Sequence, residues 1–157
     1  MSHRRHYRAG IALSLCLACL FLGPFSGLVR ADVVLTLDCP EPSQDPLQVV
    51  VRAALSDDIS LGAIDASVSW DPALLDFTAI ENGAYGALNV NTSAASSGQL
   101  TFNTFNAAGQ SGEFSLALLT FQAVDGATGE AAVEMSVVEL SAAQTFADLL
   151  PQTTVAP

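Results

Sequence analysis

From residue 32 onward, apolar stretches of strand length are interrupted roughly every ten residues by clusters of Gly, Pro, Asn, Asp and Ser, a punctuation that favours an all-β sandwich over helices. The clearest stretch is 63–70. Ile64, Ala66, Val68 and Trp70 fall on one side of an extended chain, and Asp65, Ser67 and Ser69 on the other. A one-residue slip would exchange the two sets, so the apolar set fixes which side is buried and turns Asp65 toward solvent. Asp71-Pro72 then forces a turn, because proline presets φ and excludes its predecessor from the helical region.

Other runs read the same way. Residues 33–38 end at Cys39-Pro40-Glu41-Pro42, where two prolines stop a ladder. Residues 47–55 are rich in β-branched side chains and stop at Ser56-Asp57-Asp58. Leu75, Phe77 and Ala79 alternate with Asp76 and Thr78. Over residues 99–106, Leu100 and Phe102 oppose Thr101 and Asn103, and Phe105 breaks the pattern, as if facing another layer. Residues 114–123 are apolar on both sides, which suits an interior strand. Residues 131–140 place Val133, Met135 and Val137 together, after a turn at Asp125-Gly126-Ala127-Thr128-Gly129. Residues 142–149 have the composition for a short helical turn. No repeat of 20–50 residues is visible.

At 157 residues, half of them apolar, the chain has material for one domain with a core of ordinary size. Its charge is divided sharply. Arg4, Arg5 and Arg8 precede an apolar run over residues 9–25, and Val29-Arg30-Ala31 has small residues at the spacing of a cleavage site. Residues 1–31 therefore read as a secretory signal peptide, with residues 32–157 as the mature domain, secreted or held in a periplasm or at a cell surface. A twin-arginine signal, an uncleaved membrane anchor and lipidation at Cys19 are the lesser alternatives. After residue 31 there is no lysine or histidine, and a single arginine, Arg52, stands against all 16 acidic residues. Nucleic acid and anionic membranes are poor partners for such a surface, and no membrane contact is expected unless the signal segment is retained. A surface so rich in carboxylate also suits a protein that stays hydrated in high salt.

The same composition removes most catalytic apparatus. Without histidine or lysine there is no Ser-His-Asp set, Cys-His pair, imidazole zinc site or Schiff-base amine, and no phosphate loop or dinucleotide fingerprint occurs. Paired carboxylates remain, as in glycosidases, but they lie in turns and on polar strand faces, where a solvated surface accounts for them. The reading is a non-enzyme without a cofactor. Structural calcium at Asp57-Asp58, or around Asp71, Asp76 and Glu81, is the alternative, although no EF-hand spacing is present. Cys39 is the one thiol of the mature chain and reads as a small filler at a strand end. A sugar-binding sandwich needs exposed aromatics. Trp70 shares an apolar strand face, which leaves Tyr85, in the loose Gly83-Ala84-Tyr85-Gly86 stretch, as the candidate carbohydrate contact.

Residues 61–77, LGAIDASVSWDPALLDF, resemble the cohesin family, in which a strand runs into an aromatic-Asp-Pro turn and then a Leu-acid-apolar strand. Gly98-Gln99-Leu100-Thr101-Phe102 agrees with this. So does Gly112-Glu113-Phe114 leading into Leu118-Leu119-Thr120-Phe121-Gln122-Ala123, so that the similarity spans about residues 33–145. The resemblance implies a jelly-roll sandwich of about nine strands that binds a dockerin module through one flat sheet face. It places at Asp65 the acidic residue, six before the aspartate of the Asp-Pro turn, that contacts the dockerin. Ser67, Ser69, Thr101, Asn103 and Phe105, with the loop at Asn106, would complete the partner-binding face. A plain solvated strand is the competing account of Asp65. A carbohydrate-binding or extracellular matrix and adhesion module of the same fold, with a polysaccharide as ligand, is the competing account of the whole.

Overall fold

The stretch around Asp65 forms an interior strand of a sheet, flanked by hydrogen-bonded neighbours on both sides. The computed structural model describes residues 32–39 and 45–156; the signal peptide expected at residues 1–31 lies outside the described residues. Among the described residues nine strands occur: β1 (Val33–Asp38), β2 (Leu47–Leu55), β3 (Leu61–Trp70), β4 (Leu75–Asn82), β5 (Asn89–Asn91), β6 (Gln99–Gln110), β7 (Gly112–Ala123), β8 (Val133–Ala142) and β9 (Thr153–Ala156). They make two sheets, ordered β4-β7-β2-β1-β9 and β5-β6-β3-β8. Every pairing is antiparallel except β1 with β9. Among the described residues no helix is long and apolar enough to cross a membrane.

The core lies between the sheets. Leu35, Val51, Leu116, Leu119 and Phe121 come from one sheet, and Leu61, Ile64, Val68, Leu100, Phe102 and Leu140 from the other, all essentially inaccessible. Burying a side chain of that size contributes about 1.5–3 kcal/mol, so a slip of β3 that exposed Ile64, Val68 and Trp70 would cost several kcal/mol. The predicted alternation of β3 is therefore observed residue by residue, with Ile64, Ala66, Val68 and Trp70 buried and Asp65, Ser67 and Ser69 half-exposed. Trp70 packs on Phe121 and Phe77, with centroids 5.2 and 5.7 Å away. Beyond it, Asp71 Oδ1 accepts from Ala73 N at 2.8 Å and closes the expected turn. Gly98 is required beside this turn: its φ is +79°, and a Cβ would stand 2.2 Å from Trp70 O.

Three local features differ from simple alternation. In β7 the register shifts opposite Val51 and Arg52, so the adjacent Leu116 and Ala117 are both buried. In β8 the register against β3 passes from Glu139 to Val137, leaving Val138 as a bulge that returns Leu140 to the core. The helical turn expected over 142–149 does not form. Gln144 and Phe146 adopt φ of 64° and 55°, and the chain folds back so that Asp148 bridges Ser141 and Leu149 N donates to Leu140 O. Left-handed residues cannot propagate a right-handed helix. The C-terminal Thr153–Ala156 segment, which carries little strand signal in the sequence, pairs with β1.

Candidate functional site

The outward surface of the β5-β6-β3-β8 sheet is assembled by register. One row across it runs Asn89, Asn103, Asp65, Glu139; the next runs Asn91, Thr101, Ser67, Ser136; a third runs Gln99, Ser69, Glu134. Successive rows are two residues, about 7 Å, apart, and neighbouring strands about 4.8 Å. Six of the seven residues expected at the partner-binding face thus share one side of the sheet: Asp65, Ser67 and Ser69 on β3, and Thr101, Asn103 and Phe105 on β6. Asn106 does not belong to the flat surface. It lies where β6 bulges away from β3, and its Oδ1 accepts from Ala108 N at 3.1 Å, which holds the turn.

Strand β6 exchanges its usual roles at one step. Thr104 is buried, its hydroxyl donating to Ala87 O at 2.9 Å, whereas Phe105 points outward and is 76 % exposed. The sequence shows Phe105 as a break in the pattern; the break is in fact at Thr104, a polar side chain inside whose hydroxyl finds a carbonyl. Phe105 stays in phase with Thr101 and Asn103. Val138, 67 % exposed, is the bulged residue beside Glu139. The face is therefore a polar, acid-bearing plane with exposed Phe105 and Val138 near Asp65. Ser136, Val138, Glu139 and Glu134, and Asn89 and Asn91 on a three-residue strand, are not foreseen from the sequence. Their membership follows from which strands pair with β3 and β6, and the only local hint is the change of apolar parity between Val137 and Leu140.

Tyr85 is not a surface platform. It is 4 % exposed, its ring stacks on Phe114 at 5.1 Å, and its hydroxyl donates to Leu61 O at 2.9 Å. Burial pushes its hydroxyl up to about 12, against a smaller opposing effect of the Asn106 backbone. The glycines around it are loose in composition but not in place: a Cβ at Gly83 would lie 2.3 Å from Ser115 O. Tyr85 thus anchors its loop to the sandwich. Cys39 is half-buried against the core at the end of β1, as the filler reading expects, and its thiol is pushed up by burial and then by the neighbouring Asp38 carboxylate. Among the described residues no group of three or more His, Cys, Asp or Glu side chains is gathered as if to hold a metal ion, so Asp71, Asp76 and Glu81 are not brought together.

At one end of the face, Ser69, Trp70, Asp71, Glu130, Ala132 and Glu134 line an open cleft of about 340 Å³. Arg52 is far from this acidity: it lies on β2 of the opposite sheet, where its Nε donates to Asp38 Oδ2 at 3.1 Å.

No known family pattern matches the chain, and no curated protein is similar to it in sequence. Solved structures are similar to it in fold. The sixth cohesin of scaffoldin B from Acetivibrio cellulolyticus, in complex with a dockerin, superposes with a TM-score of 0.65 at 17 % identity, covering 79 % of this chain and 94 % of that one. A non-cellulosomal cohesin from the archaeon Archaeoglobus fulgidus gives 0.62 at 17 %, covering 80 % and 86 %. A type I cohesin–dockerin complex from Clostridium thermocellum gives 0.61 at 11 %, covering 79 % and 96 %. The chain has a cohesin-like β-sandwich fold.

Proposed function

Starting from the cohesin-like fold, we propose that this chain is an exported, non-catalytic protein-interaction module whose β5-β6-β3-β8 face receives a dockerin-like partner. The observation that carries the reading is the composition of that face: Asp65, Ser67, Ser69, Thr101 and Asn103 brought side by side on a plane of paired strands, with Phe105 exposed among them. Two of the similar solved structures are complexes with dockerins, which supports a folded protein as the ligand. The basic and apolar leader supports export, and the loss of histidine and lysine beyond it supports a binding role over a catalytic one. The polysaccharide reading loses its contact, since Tyr85 is enclosed.

The test is capture from the secreted fraction of the source organism on three baits: the unaltered chain, an Asp65→Arg/Ser67→Trp chain, and a Gln48→Arg chain altered on the exposed side of β2. A recovered protein is then titrated against each by calorimetry. The expected result is an affinity at least about 100-fold weaker for the first variant alone, in line with the loss of a central interface residue and a blocked surface. Equal affinity for all three chains would overturn the assignment of the face.

A further inference from the structure

The row through Asp65 contains an unresolved electrostatic conflict. Asp65 and Glu139 are direct cross-strand partners, and like charges in that relation destabilise a sheet by up to about 1 kcal/mol. Among the described residues the one basic side chain is Arg52, which lies on the other sheet. The chain beyond residue 31 has no lysine or histidine, and its single arginine is held by Asp38 on the opposite sheet. Exposed Phe105 lies toward one side of the pair and Val138 on the other, so a surface seated there would exclude water from both carboxylates. A carboxylate pair under a low-dielectric cover is costly without a cation and strongly attractive with one.

A second acidic position lies on the same face. Glu134 is opposite Ser69, four residues along β3 from Asp65, which is about 13 Å. It borders the cleft that Asp71 and Glu130 also line. Between the two acidic positions the row of Thr101, Ser67 and Ser136 carries hydroxyls and no charge.

We propose that the occupant of this face is a protein surface bearing two basic side chains about 13 Å apart, one received by Asp65 and Glu139 between Phe105 and Val138, the other by Glu134 at the cleft. One helix supplies such a pair from positions seven or eight apart, roughly 10–12 Å along its axis, with long side chains spanning the remainder. The inference rests on the docking role of the face and adds the partner's chemistry. Neutral hydroxyl-only or purely apolar partners would bury the Asp65–Glu139 conflict, whereas a basic one relieves it.

A displayed library of a dockerin-type helical module, with its solvent-facing positions randomised, tests this when sorted against the full chain. Recovered clones are titrated against Ser67→Trp, Asp65→Asn/Glu139→Gln and Glu134→Gln chains in low and high salt. The expected clones lose binding to Ser67→Trp and carry paired Lys or Arg at the stated spacing. They bind the double variant about 100-fold and Glu134→Gln about 10-fold more weakly, and they weaken in salt. The two carboxylate variants keep side-chain size and remove repulsion, so they retain the fold; circular dichroism checks this. Clones that require an unblocked Ser67 but ignore the neutralised carboxylates overturn the basic-partner inference and leave the face in place. A library whose clones all tolerate Ser67→Trp overturns the docking role itself.

Discussion

Tyr85 carries more of the architecture than its position in a glycine-rich segment suggests. Its ring joins the loop after β4 to Phe114 of β7, and its hydroxyl reaches Leu61 O at the start of β3, so one side chain ties both sheets at the end where Phe105 lies. The tie has a pH signature. The hydroxyl is raised from 10.0 to about 12 by burial, so between these values the unfolded chain has released a proton that the folded chain keeps. Stability from this source is fully present below pH 10 and is lost as pH rises toward 12, with a slope of at most about 1.4 kcal/mol per pH unit. Urea unfolding at pH 9 to 12 should show this decline, and Tyr85→Phe should flatten it while lowering stability at pH 8 by about 1 kcal/mol for the lost hydrogen bond to a buried carbonyl. A variant with the same slope as the unaltered chain would assign the decline to other groups.

At the scale of elements, the two strands that sequence periodicity does not reveal are the two shortest. Strand β9 has four residues, half-buried or exposed, with no inward apolar set to mark it, yet it covers the outer edge of β1. Removing residues 153–157 would bare the outer edge of β1 from Val33 to Thr36, leaving it paired with β2 alone, beside the fully buried Val33 and Leu35. A ladder of this length contributes about 2–4 kcal/mol at typical values for its hydrogen bonds, and a bare edge invites pairing with a second chain. The truncated protein should melt lower and form dimers or larger species on size exclusion; a monomer of unchanged melting temperature would show that β9 is dispensable. Strand β5 is likewise three residues long and is recognisable only by its register on β6. By contrast β3 was legible from Ala63 to Trp70, because four inward side chains at period two leave one register open to it, whereas buried Leu61 precedes a register shift that the alternation does not show. For that reason the side of the sheet taken by the residues of the proposed face on β3 could be read from the sequence. The part of the face on β8 could not, since the Val138 bulge that brings Glu139 opposite Asp65 depends on which strand becomes the neighbour of β3.

Over the whole molecule, charge sets a second balance against packing. All 16 acidic residues follow residue 31 with one arginine among them, so that part of the chain carries an excess of fifteen negative charges, and none of the acidic residues among the described residues is buried. Compaction brings these charges together, and the resulting repulsion is screened as the Debye length falls to about 10 Å at 0.1 M salt and 3 Å at 1 M. The melting temperature should therefore rise by several degrees between about 10 mM and 0.5 M sodium chloride. For a domain of this size each 1 kcal/mol corresponds to about 3–6 °C. Asp65→Asn/Glu139→Gln should melt higher than the unaltered chain in dilute buffer and gain less from salt, because like charges directly opposite one another across two strands destabilise a sheet. A melting temperature that falls as salt rises from low values would show that repulsion does not limit the fold. The same salt series acts on association with the opposite sign: screening weakens the attraction of a basic partner to Asp65, Glu139 and Glu134 while it relieves the repulsion inside the free domain. Stability rising and affinity falling over one titration would separate the two roles of the same carboxylates, as members of a strained sheet when alone and as receptors when occupied.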